Sequence, residues 1–260
     1  MNNVIVVKIG GATLGSHDTA LEDIVQLQRQ GKELIVVHGG GKLITEWLEK
    51  QGIATRFVQG ERVTDQPTLE IVISVLAGLV NKDIVASING LGGRAAGISG
   101  VDGSLIEGRI RDPEKGYVGE VVKVNGAILE SLLESGFIPV VAPIGLNAPA
   151  RPAVTPPILN FNADTIAGEI AAAVAAERLI FLTDVDGVRG QSGKLLTELS
   201  PGEAEALVAS GVASGGMIPK VKACLRALAN TPATCIIDGR HPHALLRQIE
   251  GEGSGTTIQK

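Results

Sequence analysis

Lys8 stands inside the apolar run VIVVKI, one residue from its end. A strand ammonium buried on both faces loses its hydration unless an anion lies beside it, so Lys8 either points to water from an edge strand or has an anionic partner. Gly10-Gly11 ends this run, and a second apolar run, residues 33–37 (ELIVV), leads into Gly39-Gly40-Gly41. Consecutive glycines at strand ends make tight turns, or let backbone N–H groups converge on an anion with help from the next helix terminus. Two such clusters beside a strand-borne lysine point to phosphate binding. A second lysine, Lys220, closes SGGMIPK, where two glycines precede a helix whose first turn tolerates Pro219. A lysine near a positive helix end is unfavourable unless an anion such as a nucleotide phosphate is close. Asp164, in NFNAD, opens an alanine-rich helix and is stabilised there. Asp184 and Asp186, in TDVDG, could contact a nucleotide, hold a metal or simply make Asx turns. Arg62, in GERVTD, reads by itself as a surface arginine.

The elements that must carry these residues alternate. Residues 4–9 and 33–37 read as buried strands, and 18–30 and 42–51 as helices stopped by Gly31 and Gly52, an order that predicts right-handed βαβ units and a parallel sheet. Residues 66–89 form a long helical segment bent near Gly78. Runs at 95–99, 104–111 and 118–124 suggest a hairpin on a sheet edge. A helix at 125–135 and a strand at 137–141 lead to residues 143–157, where five prolines mark a hinge or lobe boundary. The second half repeats the theme with helices at 163–176, 201–210, 217–230 and 243–249, strands at 179–183, 234–237 and 256–258, and a hairpin around Gly193. Ligands in open α/β sheets collect at the carboxyl ends of the strands, where the glycines and Asp184 fall.

Known nucleotide signatures do not account for the glycines. Gly41-Lys42 and Gly193-Lys194 are each followed by leucine, so no Walker A loop is present. GxGxxA at Gly90, Gly92 and Ala95 follows a helix and precedes a strand, the reverse of a pyrophosphate turn. Composition excludes further classes. The 260 residues have a formal net charge of −5 without a basic run, which argues against a nucleic-acid binder. No apolar stretch approaches bilayer length and no signal peptide is visible, so the expected setting is the cytoplasm. Cys224 and Cys235 form no CxxC pair and read as core-filling thiols. With aromatics at 2% and 34 glycines, the core must be aliphatic, as suits a parallel sheet with tight turns.

The motifs VVKIGG, VVHGGG, RVTD, NFNAD, LTDVDG and GGMIPK, in this order and spacing, closely resemble the amino acid kinase family over essentially the whole chain. The resemblance implies a three-layer αβα sandwich with a largely parallel central sheet and two lobes: residues 1–157 for the amino-acid substrate and dimerisation, 158–260 for the nucleotide. It implies transfer of the γ-phosphoryl group of ATP, with Mg2+ held mainly by the nucleotide, to the side-chain carboxylate of N-acetyl-L-glutamate in arginine biosynthesis. By motif match, Lys8 and Lys220 stabilise the transition state and Asp164 positions them. Gly40 and Gly41 surround the substrate and transferring phosphoryl group, and Arg62 and Asn160 hold the substrate α-carboxylate. Gly10, Gly11, Asp184, Val185, Asp186, Gly187, Val188, Val212, Ala213, Ser214, Gly216 and Met217 match nucleotide-binding segments. An ionised carboxylate acceptor needs no general base, so His38 reads as structural and His17, His241 and His243 as loop or cap residues. Glu61, where the family has an apolar residue, either points away or pairs with a cation. The resemblance also implies a homodimer through 66–89 and, because only three residues precede the first strand, insensitivity to arginine. The rival readings are an N-acetyl-2-aminoadipate kinase and a non-catalytic anion-binding protein on the same fold.

Overall fold

The computed structural model describes residues 3–10, 19–58, 60–110, 112–148 and 156–260. Val4–Ile9 is β1, and it lies in the middle of the sheet, not at an edge. After helix α1 (Ala20–Arg29), strand β2 (Glu33–His38) pairs parallel to one side of β1. On its other side β1 pairs parallel with β10 (Arg178–Thr183), which pairs parallel with β12 (Ala233–Asp238). Beyond β2 come β8 (Ile138–Asn147) and β5 (Ala95–Gly100), again parallel. The antiparallel hairpin of β6 (Ile106–Ile110) and β7 (Gly119–Val124) decorates one end of the sheet as expected. Strands β11 (Glu198–Leu199) and β13 (Thr256–Gln259) form the other end, and β9 (Ile158–Asn160) lies antiparallel on β8.

Strand alternation sorts β1 between two aliphatic cores. Val4 and Val6 join the core that holds α5 (Ala127–Glu134), α6 (Ala163–Ala173) and α8 (Met217–Ala227). Ile5, Val7 and Ile9 join the core on the opposite face, with α1, α2 (Gly41–Lys50) and the long helix Gln66–Gly90. This is the expected αβα layering. Lys8 therefore shares a face with Val4 and Val6, and points toward α6 and α8. Those two helices approach closely at Gly168, where a Cβ would stand 2.6 Å from the Ala223 carbonyl oxygen. Cys224 and Cys235 are buried and free, as the sequence reading has them.

Two expectations change. The long helix is α3 (Gln66–Ile73), a π-helical segment (Ser74–Val80) containing Gly78, and α4 (Asn81–Gly90). Together they are long and apolar enough to cross a membrane by length and composition, where the sequence reading found no such stretch, because Glu70, Lys82 and Asp83 interrupt the run. Its inner face, including Val72, Val75, Leu76, Ile84 and Ile88, is buried in the core of the sheet, the place of a core helix. The proline-rich stretch does not begin as a hinge, since β8 continues through Pro143 to Asn147. Pro143 falls where the ladder between β5 and β8 shifts register, so its missing N–H interrupts nothing. Residues 149–155 lie outside the described residues.

Candidate active site

The parallel register brings the carboxyl ends of β1, β2, β10 and β12 to one edge: Ile9 lies opposite His38 and Leu182, and Thr183 opposite Asp238. At this edge, three of the charges singled out in the sequence meet. Asn162 caps α6, its Oδ1 accepting from the backbone N–H groups of Asp164 (2.8 Å) and Thr165 (3.1 Å). That cap fixes Asp164 in the first helical turn, facing β1. Lys8 Nζ lies 2.7 Å from Asp164 Oδ1, and Lys220 Nζ, from the first turns of α8, lies 3.1 Å from Oδ2. Burial by itself raises the Asp164 carboxyl; the ammonium groups of Lys8 and Lys220 outweigh it and hold the carboxyl below its ordinary value. The anion beside Lys220 is thus Asp164, supplemented by the Gly216 carbonyl at 3.4 Å. Two cations share one carboxylate, so the knot carries an unbalanced positive charge.

Below the glycine loop lies a cavity of about 200 Å³, lined by Gly39, Gly40, Gly41, Arg62, Asn160 and the start of α6, among others. At Gly40 a Cβ would stand 2.6 Å from Leu76 Cδ2, so any larger residue there would have to displace the Leu76 side chain. Arg62 is not the surface residue it resembles in isolation. It is buried on the short hairpin of β3 (Phe57–Val58) and β4 (Glu61–Arg62), where its guanidinium donates to the Gly41 carbonyl (2.9 Å) and Thr45 Oγ1 (2.8 Å) and stacks on Phe57. Burial lowers its pKa, and no carboxylate lies within ion-pair distance of it among the described residues. A buried guanidinium without a counter-ion is a site for an anion. Asn160 donates to Thr64 Oγ1 at 3.1 Å. Glu61 pairs with Lys115 at 2.6 Å, so its charge is met by a cation and does not oppose an anion at Arg62.

A larger cleft of about 630 Å³ opens beyond Lys220, toward β10 and β12. Asp184, Val185, Asp186, Gly187, Val188, Val212, Ala213, Ser214 and Met217 line it, which unites the two predicted nucleotide segments. Gly10 and Gly216 flank the lysine pair and are not among the cleft's lining residues; Gly11 lies outside the described residues. The sequence reading missed Arg189, Asp238, Arg240 and His241, which also line the cleft. For Asp238, Arg240 and His241 the signal was present: DGRH ends β12 and emerges at the same edge as TDVDG. Arg189 is held by Asp186 (2.6 Å), and Arg240 by both oxygens of Asp238 (2.9 and 2.6 Å). Asp184 has no arginine at ion-pair distance among the described residues and accepts from Thr183 Oγ1 at 3.2 Å.

Comparison with known proteins agrees with this geometry. The model of the family described as the amino acid kinase family matches residues 3–238. The chain is similar to a protein named acetylglutamate kinase from Dehalococcoides mccartyi, at 48% identity over 99% of this chain and 94% of that one. A protein of the same name from a Nostoc species is 49% identical over 98% of this chain and 86% of its own. Among solved structures, smu.665 from Streptococcus mutans UA159 superposes with a TM-score of 0.83 at 28% identity, covering 100% of this chain and 99% of the other.

Proposed function

The chain belongs to the amino acid kinase family, and from that membership we propose that it transfers the γ-phosphoryl group of ATP to the side-chain carboxylate of N-acetyl-L-glutamate, giving N-acetyl-L-glutamyl 5-phosphate and ADP. The relatives are named acetylglutamate kinase, and we place the reaction in arginine biosynthesis. The observation that carries the reading is the knot of Lys8, Asp164 and Lys220, set between a small cavity with an unpaired arginine and a larger cleft. The acceptor sits in the cavity with its α-carboxylate on Arg62, from the lobe of residues 1–157, and on Asn160, just beyond that lobe's boundary. The nucleotide lies in the cleft of residues 158–260, with its phosphates toward Lys220.

A carboxylate oxygen of the acceptor attacks the γ-phosphorus, and the bond to the β,γ-bridging oxygen breaks as ADP leaves. The acceptor is ionised at neutral pH, so no proton is removed. What the protein must supply is alignment and positive charge around the equatorial and leaving oxygens. Lys8 and Lys220 supply that charge, and Asp164 holds both ammonium groups in place beforehand, so little reorganisation accompanies the transfer. Asp186 and Asp238 are occupied by arginines, which leaves Asp184 as the hard oxygen donor facing the cleft. That donor set fits a Mg2+ ion bound mainly by nucleotide phosphates and water, where it would neutralise developing phosphate charge.

We read the chain as a homodimer. The long helix exposes Leu79 (43%), and Ile73 and Ala77, which pack against the core, are only partly buried, more apolar surface than one buried stripe needs. A dimeric mass by light scattering at micromolar concentration is expected; a monomeric one would refute it. The activity is tested by coupled ADP release with N-acetyl-L-glutamate, N-acetyl-2-aminoadipate, glutamate and carbamate. The first should give the highest kcat/KM, and preference for the longer acetylated acid would reassign the substrate.

A further inference from the structure

The reaction just described leaves His38 without a task, although it is wholly buried at the end of β2, immediately before the glycine loop. Its Nδ1 lies 2.9 Å from the Gly39 carbonyl oxygen, which can only accept, so Nδ1 bears the proton and donates. Nε2 is then the acceptor, 3.3 Å from the side-chain amide nitrogen of Asn81. Asn81, also buried, donates one amide hydrogen to the Val140 carbonyl oxygen (2.8 Å) and shares the other between His38 Nε2 and the Ile98 carbonyl oxygen (both 3.3 Å), and its Oδ1 accepts from Lys82 Nζ at 3.0 Å. Lys82 Nζ donates in turn to the Gly97 carbonyl at 3.1 Å. Gly97 makes the room for this arrangement, because a Cβ there would collide with Asn81 Oδ1 and Lys82 Nζ. Every donor in the chain from Lys82 to Gly39 points the same way, a direction in which successive hydrogen bonds polarise one another.

The peptide joining Gly39 to Gly40 is trans, so its carbonyl and its N–H point in opposite directions. Drawing the Gly39 carbonyl toward His38 therefore turns the Gly40 N–H away from the ring. That N–H has no protein acceptor among the described residues, and Gly39, Gly40 and Gly41 all line the acceptor cavity. We infer that His38, held by Asn81 and Lys82, is a positioning residue that fixes the Gly39–Gly40 peptide so that the Gly40 N–H is presented to an oxygen of the transferring phosphoryl group. The identity of that oxygen rests on the kinase reading; the aim of the N–H does not. Burial, with the charges of Lys8 on β1 and Lys82 on α4, keeps the ring neutral against the pull of the Gly39 carbonyl, down to about pH 4.

The test compares His38→Leu, His38→Asn and Asn81→Asp with the wild-type enzyme in the ADP-release assay, each variant first checked for folding by circular dichroism. Losing one aimed backbone donor should lower the kcat of His38→Leu roughly 100-fold while leaving the ATP KM within about twofold. In His38→Asn the amide nitrogen stands where Nδ1 stood, and about tenfold of that loss should return. In Asn81→Asp the new carboxylate draws the ring proton to Nε2, and a neutral ring then turns a lone pair on the Gly39 oxygen; only the imidazolium keeps a proton on Nδ1. The kcat of that variant should therefore fall as pH rises between about 6 and 9, whereas the wild type shows no such loss from His38. A role confined to stability would lower the melting temperature and leave the kcat–pH profile as in the wild type. Wild-type kcat in folded His38→Leu, or a wild-type profile in Asn81→Asp, overturns the inference. If the wild-type chain itself fails to turn over N-acetyl-L-glutamate, the kinase reading falls instead. The ¹H–¹⁵N shift of the Gly40 amide in His38→Asn and Asn81→Asp then decides: displaced, the aim depends on the ring; unmoved, it does not.

Discussion

In the acceptor cavity Arg62 is buried, stacked on Phe57, and has no carboxylate at ion-pair distance among the described residues. In the nucleotide cleft Arg189 and Arg240 are each 57% exposed in their side chains, and each is already paired with an aspartate two or three residues away. The same residue type thus has two uses. A desolvated guanidinium with its charge unanswered is a strong and selective receptor for a small anion. Locally neutralised arginines leave the cleft walls with little net charge, so a polyphosphate in the cleft would be drawn to the positive excess beside it, the two lysines on Asp164. On the proposed reading, charge in the cavity would select the acceptor, and charge at the knot would set which end of the nucleotide faces it.

Removing the shared counter-ion should have the largest effect. Asp164→Asn leaves two ammonium groups facing each other with no carboxylate, and breaking a buried ion pair from one side costs about 3–5 kcal/mol. Denaturant unfolding should show that loss together with near-abolished turnover; wild-type stability would mean that the lysines find another anion. Lys8→Ala and Lys220→Ala should each remove about 3–4 kcal/mol of transition-state stabilisation while moving the substrate KM little. Steady-state kinetics with an unchanged kcat in either variant would refute the role of that lysine.

His38 gives a pH-dependent effect of similar size. Its folded-state pKa is lowered from 6.5 to about 4, chiefly by burial. Between those values the unfolded chain binds a proton that the folded chain does not. The contribution is therefore fully present above pH 6.5 and is lost as pH falls toward 4, for a total of about 3 kcal/mol. Stability measured from pH 7 to 4 should drop more steeply in the wild type than in His38→Asn, and parallel curves would contradict this. Arg62→Lys keeps the charge but not the planar fork, and should weaken N-acetyl-L-glutamate binding about tenfold while sparing ATP. Calorimetry showing equal losses for both ligands would erase the contrast between the two regions. Arg240→Ala should have the smallest effect, changing the ATP dissociation constant by no more than a factor of about three.

The residues legible from sequence were those whose setting is encoded locally. Lys8 stood out because five apolar neighbours define its strand, and Asp164 because Asn162 and an alanine-rich run announce a helix start. What the sequence left open about Lys8, an edge strand in water or a buried strand with an anion, was decided by the parallel partners on both sides of β1. Arg62 was legible only by resemblance to a family. Its burial depends on two strands of two residues each and on the side of α2, and elements that short carry no periodic signal. The paired arginines of the cleft were missed for a related reason: Asp186 with Arg189 and Asp238 with Arg240 lie in turns, where charged residues ordinarily meet water, and only the convergence of β10 and β12 places them on facing walls. The π-helical segment was read as a bend at Gly78, because a wider turn over seven residues has no residue-type signal of its own.

The contact at Gly168 has a consequence for how this chain tolerates change. Gly168 lies one helical turn beyond Asp164, and Ala223 three residues beyond Lys220. The space between them has no room for a methyl group, with the Ala223 carbonyl oxygen 2.6 Å and its Cα 2.9 Å from where one would go. The spacing of α6 and α8 is thus set by the absence of a side chain, and the reach from carboxylate to ammonium is set by that spacing. In a saturation library scored for growth, position 168 should be nearly as barren as the charged positions it serves. Breeding a variant enzyme from this scaffold would have to treat it as fixed, although it has no side chain with which to hold a ligand.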